Sequence, residues 1–251
     1  MPSPLEVFDR ISIINLPYRA DRRREIGQQL ARFGLSLDRD PVQLFPAIRP
    51  TETDGFPSLG ARGCFMSHLG VLQQARDERV RRLLILEDDF DFADRLTAGR
   101  LAQVLEELSS RPWAMFYGGH RLARSPDARL ETAWAELAPS TPVVTSHCLG
   151  MTDRAIAVAV PYLEAILRRP AGHVDGGPMH VDGAYSRLRA DRPELTTYSA
   201  LPAIGHQRSS RTDIHDLRWY DRWPGLSLIA ERVRAVRRRF RRSGVAGIDQ
   251  T

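Results

Sequence analysis

The sequence predicts an α/β protein with a mostly parallel sheet that is covered by helices on both faces. Residues 83–86 are four consecutive apolar residues, which is the pattern of a central strand buried on both sides. Along the rest of the chain, short apolar segments alternate with segments of helical spacing, as they do in parallel sheets. At 251 residues the chain can form one large α/β domain or two small ones, with a sizeable core in either case.

The first predicted strand runs over residues 11–16, and Pro17 ends it. A helix is predicted over residues 22–33, with Asp21 as a cap or first-turn acid and Gly34 as its stop. The junction between this strand and this helix holds an arginine cluster. In a parallel sheet that edge faces the ligand crevice, where guanidinium groups bind phosphate. A solvated helix start explains the same cluster, which consists of Arg19, Arg22, Arg23 and Arg24.

A second strand is predicted over residues 42–45, followed by a loop rich in proline, threonine and glycine to residue 60. Residues 63–76 form a predicted helix that carries Cys64, Ser67 and His68 near its start. Adjacent residues of a helix point about 100° apart, so Ser67 and His68 do not form a pair of nucleophile and base.

Three acidic residues, Glu87, Asp88 and Asp89, follow the central strand directly. Adjacent ionised carboxylates repel one another and resist burial unless their charge is compensated. At the carboxyl end of a parallel strand the usual compensation is a divalent cation, which often also holds substrate phosphates. The sequence therefore predicts a metal site here, and a solvated acidic turn is the alternative.

The middle of the chain continues the alternation of helices and strands. Helical spacing over residues 96–108 precedes a strand over residues 113–117, which Gly118 and Gly119 close. Residues 120–141 are polar and too long for a simple connection, so we expect a flexible, irregular loop on the acceptor side. The next predicted elements are a strand over residues 143–150 and a helix over residues 153–168.

A loop dense in histidine and carboxylate covers residues 173–182 and contains the triplet His-Val-Asp twice. A metal site would use these residue types, but the histidines lack the His-x-x-x-His spacing that supports zinc. Asp182 begins a helical stretch that ends near residue 190, so it is either a helix N-cap or a general base. The last core segment, residues 201–210, has the character of a strand that passes into a loop.

The charge of the chain is concentrated in its C-terminal tail. Residues 231–243 hold seven arginines and one glutamate, a net charge of +6, and because the whole chain carries +5, the remainder carries −1. All 36 basic residues are arginine, which excludes Schiff-base lysine chemistry and a Walker A phosphate loop. Apolar residues recur at helical spacing in the same tail: Leu226, Ile229, Val233, Val236 and Phe240. We therefore predict one main domain over residues 1–225 and a basic amphipathic tail over residues 226–251.

The tail has three interpretations. A helix lying on an anionic bilayer gains about 1 kcal/mol per basic residue, so we expect peripheral contact with such a membrane. The same apolar stripe can instead dock on the body of the protein. Arginine clusters also bind nucleic acid, but the −1 charge of the body and the few aromatic residues near the arginines argue against it. No nucleic acid is therefore expected as a partner.

Composition also predicts the compartment. Two cysteines do not make a disulfide framework, which favours a reducing environment. No apolar run has the length of a membrane span, and the first residues lack the features of a signal peptide. We expect a cytoplasmic protein, held by its tail at the inner face of the cytoplasmic membrane.

Two families resemble parts of the chain. Residues 83–94 resemble the opening strand and acidic turn of a response-regulator receiver domain. That fold also requires a lysine, which this chain lacks, and the match begins only after two earlier strands, so we set it aside.

Five separated motifs follow one another along the chain. They are Ile13-Ile14-Asn15-Leu16 with Arg19, Arg22 and Arg23; Phe45-Pro46-Ala47-Ile48; Gly63-Cys64 with Ser67-His68; Leu84 to Asp89; and a weaker C-terminal set of Val181-Asp182, Pro202, Gln207 and Ser209-Ser210. In order and spacing these motifs resemble glycosyltransferase family 25, which includes the lipooligosaccharide galactosyltransferases of bacteria and the collagen hydroxylysine galactosyltransferases. One departure is Ala61, which stands where the family commonly has an acid, so donor or acceptor preference can differ.

The resemblance implies a GT-A-like fold, in which a Rossmann-type sheet binds a nucleotide sugar at its carboxyl edge. It implies an inverting transfer of a hexose from UDP-galactose or another UDP-sugar to a hydroxyl of a glycan, lipopolysaccharide-type, lipid-linked or protein acceptor. Two other functions stay open, namely a nucleic-acid-binding protein with an arginine tail and a transferase-like binding protein without activity.

The site residues follow from the same resemblance. Asp89 would ligate Mn²⁺ or Mg²⁺ bound to the donor diphosphate, Asp88 would contact the metal or the ribose, and His206 is a further candidate ligand. Inversion requires one carboxylate to deprotonate the acceptor hydroxyl, and we predict Asp182 for this role, with Asp175 as the alternative. The residues predicted on the donor side are Asn15, Leu16, Arg19, Arg22, Ala47, Ser67, His68, Glu87 and Asp88.

Overall fold

The computed structural model describes residues 3–122 and 134–208. A short 3-10 helix, Pro4–Val7, precedes the first strand. The strands described are β1 (Arg10–Asn15), β2 (Val42–Pro46), β3 (Arg82–Glu87), β4 (Phe90–Phe92), β5 (Met115–Leu122), β6 (Trp134–Leu137), β7 (Val143–Thr152), β8 (Thr197–Ala200) and β9 (Gly205–Gln207). The helices described are α1 (Ala20–Ala31), α2 (Leu59–Asp77), α3 (Ala98–Ser109), α4 (Asp153–Arg168) and α5 (Val181–Asp191).

The main sheet has seven strands in the order β2-β1-β3-β7-β5-β8-β6. Strand β1 pairs in parallel with β2 and β3, and β5 pairs in parallel with β8. Strand β7 runs antiparallel to both of its neighbours, and β6 runs antiparallel to β8. Most strands of the sheet thus share one direction, and the prediction of an α/β fold with a mostly parallel sheet is confirmed.

Strand β3 is the central strand that its four apolar residues predicted. Its side chains alternate between two separate apolar clusters, one on each face of the sheet. Leu83 and Ile85 pack with α2, α4 and α5, whereas Leu84 and Leu86 pack with α1 and α3. Helices therefore cover both faces, and the carboxyl end of β3 emerges between them.

A second sheet, of two strands, determines which residues contact the acidic end of β3. The chain continues from the acidic turn into β4, which pairs antiparallel with β9 from more than a hundred residues further along. Gly205 permits this pairing, because a Cβ atom there would lie 2.2 Å from the ring of Phe90. The pairing brings the end of the described chain, Gln207 and Arg208, against the acidic strand end.

Several predicted boundaries differ from the structure, each for a local reason. Helix α2 begins at Leu59 rather than at residue 63, because the Ser58 hydroxyl caps it by accepting a hydrogen bond from the Ala61 amide at 3.0 Å. Gly118 and Gly119 were predicted to end a strand, but β5 continues through both. A Cβ atom at Gly119 would lie 2.2 Å from His147 Nε2, so this glycine serves a close approach and not a turn.

The prediction of an irregular loop over residues 120–141 is partly wrong. Strand β6 lies in this stretch and forms the edge of the main sheet beside β8. Trp134, its first residue, is buried, and its indole Nε1 donates a hydrogen bond to the Val104 carbonyl at 2.7 Å. A four-residue strand with one buried aromatic side chain gives too weak a pattern to be recognised within a polar stretch.

The predicted tail lies outside the described residues. The described chain up to residue 208 falls within one compact unit, Met1–Ser210. The domain boundary at residue 226 and the amphipathic tail therefore stay predictions. Among the helices that the structure describes, none is both long and apolar enough to cross a membrane.

Candidate active site

The carboxylates of Asp88 and Asp89 are buried at the carboxyl end of β3, where only 6% and 4% of these residues is exposed. The amide of Asp88 donates to the Ile14 carbonyl at 3.2 Å, which extends the pairing of β3 with β1 by one residue. Because β1 and β3 are parallel, Asn15 at the end of β1 lies beside these acids. The fold therefore brings the polar side chains at the ends of β1 and β3 together at one edge of the sheet, as the sequence predicted.

Asn15 and Arg22 hold the Asp88 carboxylate from the β1 and α1 side. Asn15 Nδ2 donates to Asp88 Oδ2 at 2.7 Å, and Arg22 Nη1 donates to Asp88 Oδ1 at 2.9 Å. The same guanidinium nitrogen lies 3.4 Å from Asp89 Oδ2. Arg22 stands in the first turn of α1, and its side chain is buried with the acids that it contacts.

Asp89 contacts Gln207, whose Nε2 donates to the two carboxylate oxygens at 3.3 and 3.4 Å. Burial raises the pKa of Asp89 to about 7, and the neighbouring charges of Glu87 and Asp88 add to this effect despite the opposing charge of Arg22. The acidic strand end is thus still short of positive charge. Its buried oxygens are the ligands that hard divalent cations prefer, so Asp88 and Asp89 fit a site for Mn²⁺ or Mg²⁺.

His206 is not brought to Asp89, contrary to its prediction as a metal ligand. In a strand, neighbouring side chains point to opposite faces, and it is Gln207 that contacts the carboxylate. His206 is exposed and pairs in the ladder with Asp91, whose carboxylate binds the Arg208 guanidinium. The side chain that reaches Asp89 is therefore that of the residue after His206.

Glu87 faces α2, on the side of β3 opposite to Asp88. Its Oε1 lies 3.4 Å from His68 Nε2, and His68 Nδ1 lies 3.2 Å from the hydroxyl of Tyr185. Burial alone would raise the pKa of Glu87, but the hydrogen bond and charge of His68, with the charges of His147 and Arg22, lower it below its usual value. Glu87 is therefore ionised at neutral pH.

Asp182 joins the start of α5 to β7. Its Oδ2 accepts a hydrogen bond from the Thr145 amide at 3.1 Å, and its Oδ1 accepts one from the Gly183 amide at 2.8 Å. Thr145 has a φ of 75°, a left-handed conformation that costs about 1–3 kcal/mol for a residue other than glycine. The charge of Asp182 also raises the pKa of Cys64, after burial and the charge of Glu87.

Asp175, the alternative base, lies elsewhere. It stands on the exposed loop before α5, where its carboxylate is 3.9 Å from His173 Nδ1. Its amide donates to the same ring nitrogen at 3.1 Å. Asp182 is thus held against β7, which pairs with β3, whereas Asp175 lies on an exposed loop.

The other predicted donor-side residues lie around the same edge, with different tasks. The Ala47 amide donates to the Asn15 carbonyl at 2.9 Å, and the guanidinium of Arg19 pairs with Asp21 at 2.8 Å. Leu16, directly after β1, is half-buried. Ser67 is fully buried, where its hydroxyl donates to the Gly63 carbonyl at 2.6 Å and accepts from the Ile48 amide at 2.8 Å. It holds the loop that follows β2.

Sequence reasoning did not find three of the contacts. The contact of Gln207 with Asp89 depends on the pairing of β9 with β4, which the strand character of residues 201–210 did not indicate. Tyr185 carried no signal as the partner of His68, because helical spacing indicates a core tyrosine equally well. Thr145 could not be distinguished from any other strand threonine, since only its backbone conformation sets it apart.

Comparisons with known proteins find a family match in one segment of the chain. Residues 56–115 match the family model described as Glycosyltransferase family 25 (LPS biosynthesis protein). These residues contain α2, β3, β4 and α3, so they include both the Cys64–His68 motif and the acidic strand end. The resemblance that the motifs predicted is therefore confirmed.

Two relatives illustrate the match. Procollagen galactosyltransferase 2 of Mus musculus is 26% identical over 132 residues, which cover 45% of this chain and 21% of that protein. Inactive glycosyltransferase 25 family member 3 of Homo sapiens is 24% identical over 132 residues, with coverages of 45% and 22%. The chain spans about a fifth of the length of the curated relatives that it matches.

Among solved structures, the chain is similar to a glycosyltransferase involved in the glycosylation of the major capsid of PBCV-1. That similarity has a TM-score of 0.42 at 12% identity and covers 81% of this chain and 94% of the other. A197 from STIV matches with a TM-score of 0.36 at 9% identity, covering 83% of this chain and 98% of the other.

Proposed function

From its relation to glycosyltransferase family 25, we propose that the chain is an inverting, metal-dependent glycosyltransferase. It moves a hexose, galactose in the first instance, from a UDP-sugar to a hydroxyl of a glycan, lipid-linked or protein acceptor. The family match and the relatives named as galactosyltransferases support the reaction class and the sugar. The proposal extends the relationship of one segment to the activity of the whole chain.

The observation that carries the proposal is the pair of buried carboxylates, Asp88 and Asp89, at the carboxyl end of a central parallel strand. Ligands of open α/β sheets bind in the crevice at this edge. The two acids would hold Mn²⁺ or Mg²⁺, which when bound screens the charge that develops on the departing nucleoside diphosphate. Asn15 fixes the orientation of Asp88 through its 2.7 Å hydrogen bond, so the site is organised before the donor arrives.

In this proposal the donor binds at the carboxyl end of β1. Leu16, Arg19 and Ala47 surround the end of β1 and would line the nucleoside and the phosphates. The side chain of Arg19 is held in place by Asp21, which keeps a guanidinium at the start of α1, where phosphate oxygens are also favoured by the helix dipole. Ser67 contributes by holding Ile48, the residue after Ala47.

Asp182 would act as the general base. A carboxylate has about four acceptor positions, so its two backbone hydrogen bonds leave capacity on both oxygens. As the acceptor oxygen attacks the anomeric carbon, the bond to the diphosphate breaks and the hydroxyl proton passes to Asp182. A single displacement of this kind inverts the anomeric configuration.

A donor panel tests the proposal. The protein is incubated with UDP-, GDP- and CMP-sugars and Mn²⁺, and free nucleotide is measured, with water as the default acceptor. We expect release from UDP-galactose above that from the other donors. Release from GDP- or CMP-sugars alone would reassign the donor, and it would contradict the proposed specificity.

A second candidate function is donor binding without turnover, because one relative is named as inactive. The two functions differ in a simple observable. Binding of UDP with no nucleotide release from any donor, with or without glycan acceptors, would favour the binding protein.

A further inference from the structure

A group of three metal-ligating side chains lies on the α2 side of the acidic strand end. One ligand atom each from Cys64, His68 and Glu87 lies within 4.8 Å of the other two. Cys64 and His68 are four residues apart on α2, so both face the same way, and the end of β3 presents Glu87 to them. The group is separate from Asp88, which faces Asn15 and Arg22 on the other side of β3.

The spacing is close to that of a tetrahedral site. With Zn–S near 2.3 Å and Zn–N near 2.0–2.1 Å, ligand atoms around zinc lie roughly 3.3–3.8 Å apart. His68 Nε2 and Glu87 Oε1 are already 3.4 Å apart. The two ligand atoms that lie farthest apart must approach each other by about 1 Å, and rotation of the Cys64 side chain can bring them that much closer.

His68 has the outer partner that a metal-ligating histidine needs. When the imidazole is neutral, Nε2 donates to ionised Glu87, which can only accept, and Nδ1 accepts from the Tyr185 hydroxyl. With a metal on Nε2, the hydrogen moves to Nδ1 and the hydroxyl becomes the acceptor. The imidazole keeps both partners in either state, which is how outer residues fix the tautomer of metal-bound histidine.

The surroundings are strongly negative. Burial raises the pKa of the Cys64 thiol, and the charges of Glu87, Asp182 and Asp89 raise it further. These carboxylates disfavour a bare thiolate, but they favour a doubly charged cation at the same place. Cys64 and Glu87 are both partly exposed, so an ion can reach the group from their side although His68 is fully buried.

We propose that Cys64, His68 and Glu87 form a second cation site that takes a thiophilic divalent ion of the zinc and cadmium class. A thiolate ligand selects such ions over Mg²⁺ and Mn²⁺, so the site is chemically distinct from the Asp88–Asp89 pair. Binding forms a metal–sulfur bond and releases the thiol proton to solvent, one proton for each ion. Three protein ligands leave a fourth position for water or a substrate group. The proposal does not rest on transferase activity.

Cadmium titration of the metal-free protein tests the site directly. Cd²⁺ bound to a thiolate gives an ultraviolet charge-transfer absorption, and the chain has only two cysteines that can produce it. We expect saturation at one ion per chain, loss of the absorption in Cys64→Ser, and retention in Cys148→Ser. Cys148 is the matched control because it is fully buried in the apolar cluster on the opposite face of the sheet.

Two further experiments distinguish a loss of metal binding from misfolding. Glu87→Gln keeps the shape of the side chain and should weaken Cd²⁺ binding at least about tenfold, while circular dichroism checks that the variants are folded. In the wild type, saturating Zn²⁺ should release one proton in weak buffer and protect Cys64 from alkylation. Absence of the thiolate absorption, its persistence in Cys64→Ser, or full alkylation of Cys64 at saturating Zn²⁺ would overturn the proposal.

Discussion

At the scale of single residues, the site depends on how each acid of one short run is compensated. Strand alternation sends Glu87 towards His68 and Asp88 towards Arg22 and Asn15. Asp89 is left with Gln207 and a share of the Arg22 charge, and its pKa rises to about 7. The sequence predicted that these acids need a counter-charge, but it could not assign a separate partner to each one.

Arg22 is the first residue to test at this scale. Breaking a buried ion pair costs about 3–5 kcal/mol, because the remaining charge stays buried without its partner. Arg22→Met should therefore lower the free energy of urea unfolding by that amount, and Mn²⁺ should restore part of the loss. Arg24→Met, at an exposed position of the same helix, should change it by about 0.5 kcal/mol or less. Equal effects of the two substitutions would show that Arg22 does not stabilise the acids.

Asp182 is the second residue to test. If it removes the acceptor proton, Asp182→Asn should slow nucleotide release with water as the acceptor by about a hundredfold or more. The affinity for UDP should stay the same, because the residue does not bind the donor. Asp175→Asn is the control and should retain the wild-type rate, since its carboxylate lies on the exposed loop. An active Asp182→Asn variant would limit this residue to joining α5 to β7.

At the scale of secondary-structure elements, strong apolar patterns were predictable and short pairings were not. The four apolar residues of β3 and the helical spacing of α2, α3 and α4 identified these elements within a few residues. Strand β6 and the pairing of β4 with β9 were not predicted. Three or four residues are too few to show a hydrophobic periodicity, and the strands that they pair with are distant in sequence. The structure therefore brings together the residues predicted at the ends of β1 and β3, whereas Gln207 and not His206 contacts Asp89.

Gly205 tests the contribution of the small sheet. A Cβ atom there would lie 2.2 Å from the Phe90 ring, so Gly205→Ala forces β9 away from β4. We expect a loss of about 1–3 kcal/mol in the free energy of unfolding, as for other overpacked positions, and weaker donor binding because Gln207 moves from Asp89. Gly99→Ala is the control, since a Cβ atom meets nothing within 4 Å there and alanine favours the helix. A Gly205→Ala variant as stable as Gly99→Ala would contradict the pairing.

At the scale of the whole molecule, the charge of the chain divides it into two regions. Residues 231–243 carry +6 and the remainder carries −1. We propose that the tail holds the protein on anionic membranes, near a lipid-linked acceptor. The full chain should then sediment with anionic but not with neutral vesicles, and high salt should release it.

Truncation distinguishes a tail that binds membranes from a tail that packs on the body of the protein. Removal of residues 226–251 should abolish sedimentation with vesicles and leave donor hydrolysis unchanged. An insoluble or unfolded truncated protein would show instead that the tail packs on the body, and the membrane proposal would fail.

The most direct test of the donor site is the affinity for UDP with and without metal. Calorimetry should give binding at least about tenfold tighter in Mn²⁺ than in excess chelator, a difference of about 1.4 kcal/mol. Asp89→Asn should remove this difference while Asp77→Asn, an exposed acid at the end of α2, retains it. Equal affinity of the wild type in Mn²⁺ and in chelator would contradict a metal-dependent donor site at Asp88 and Asp89.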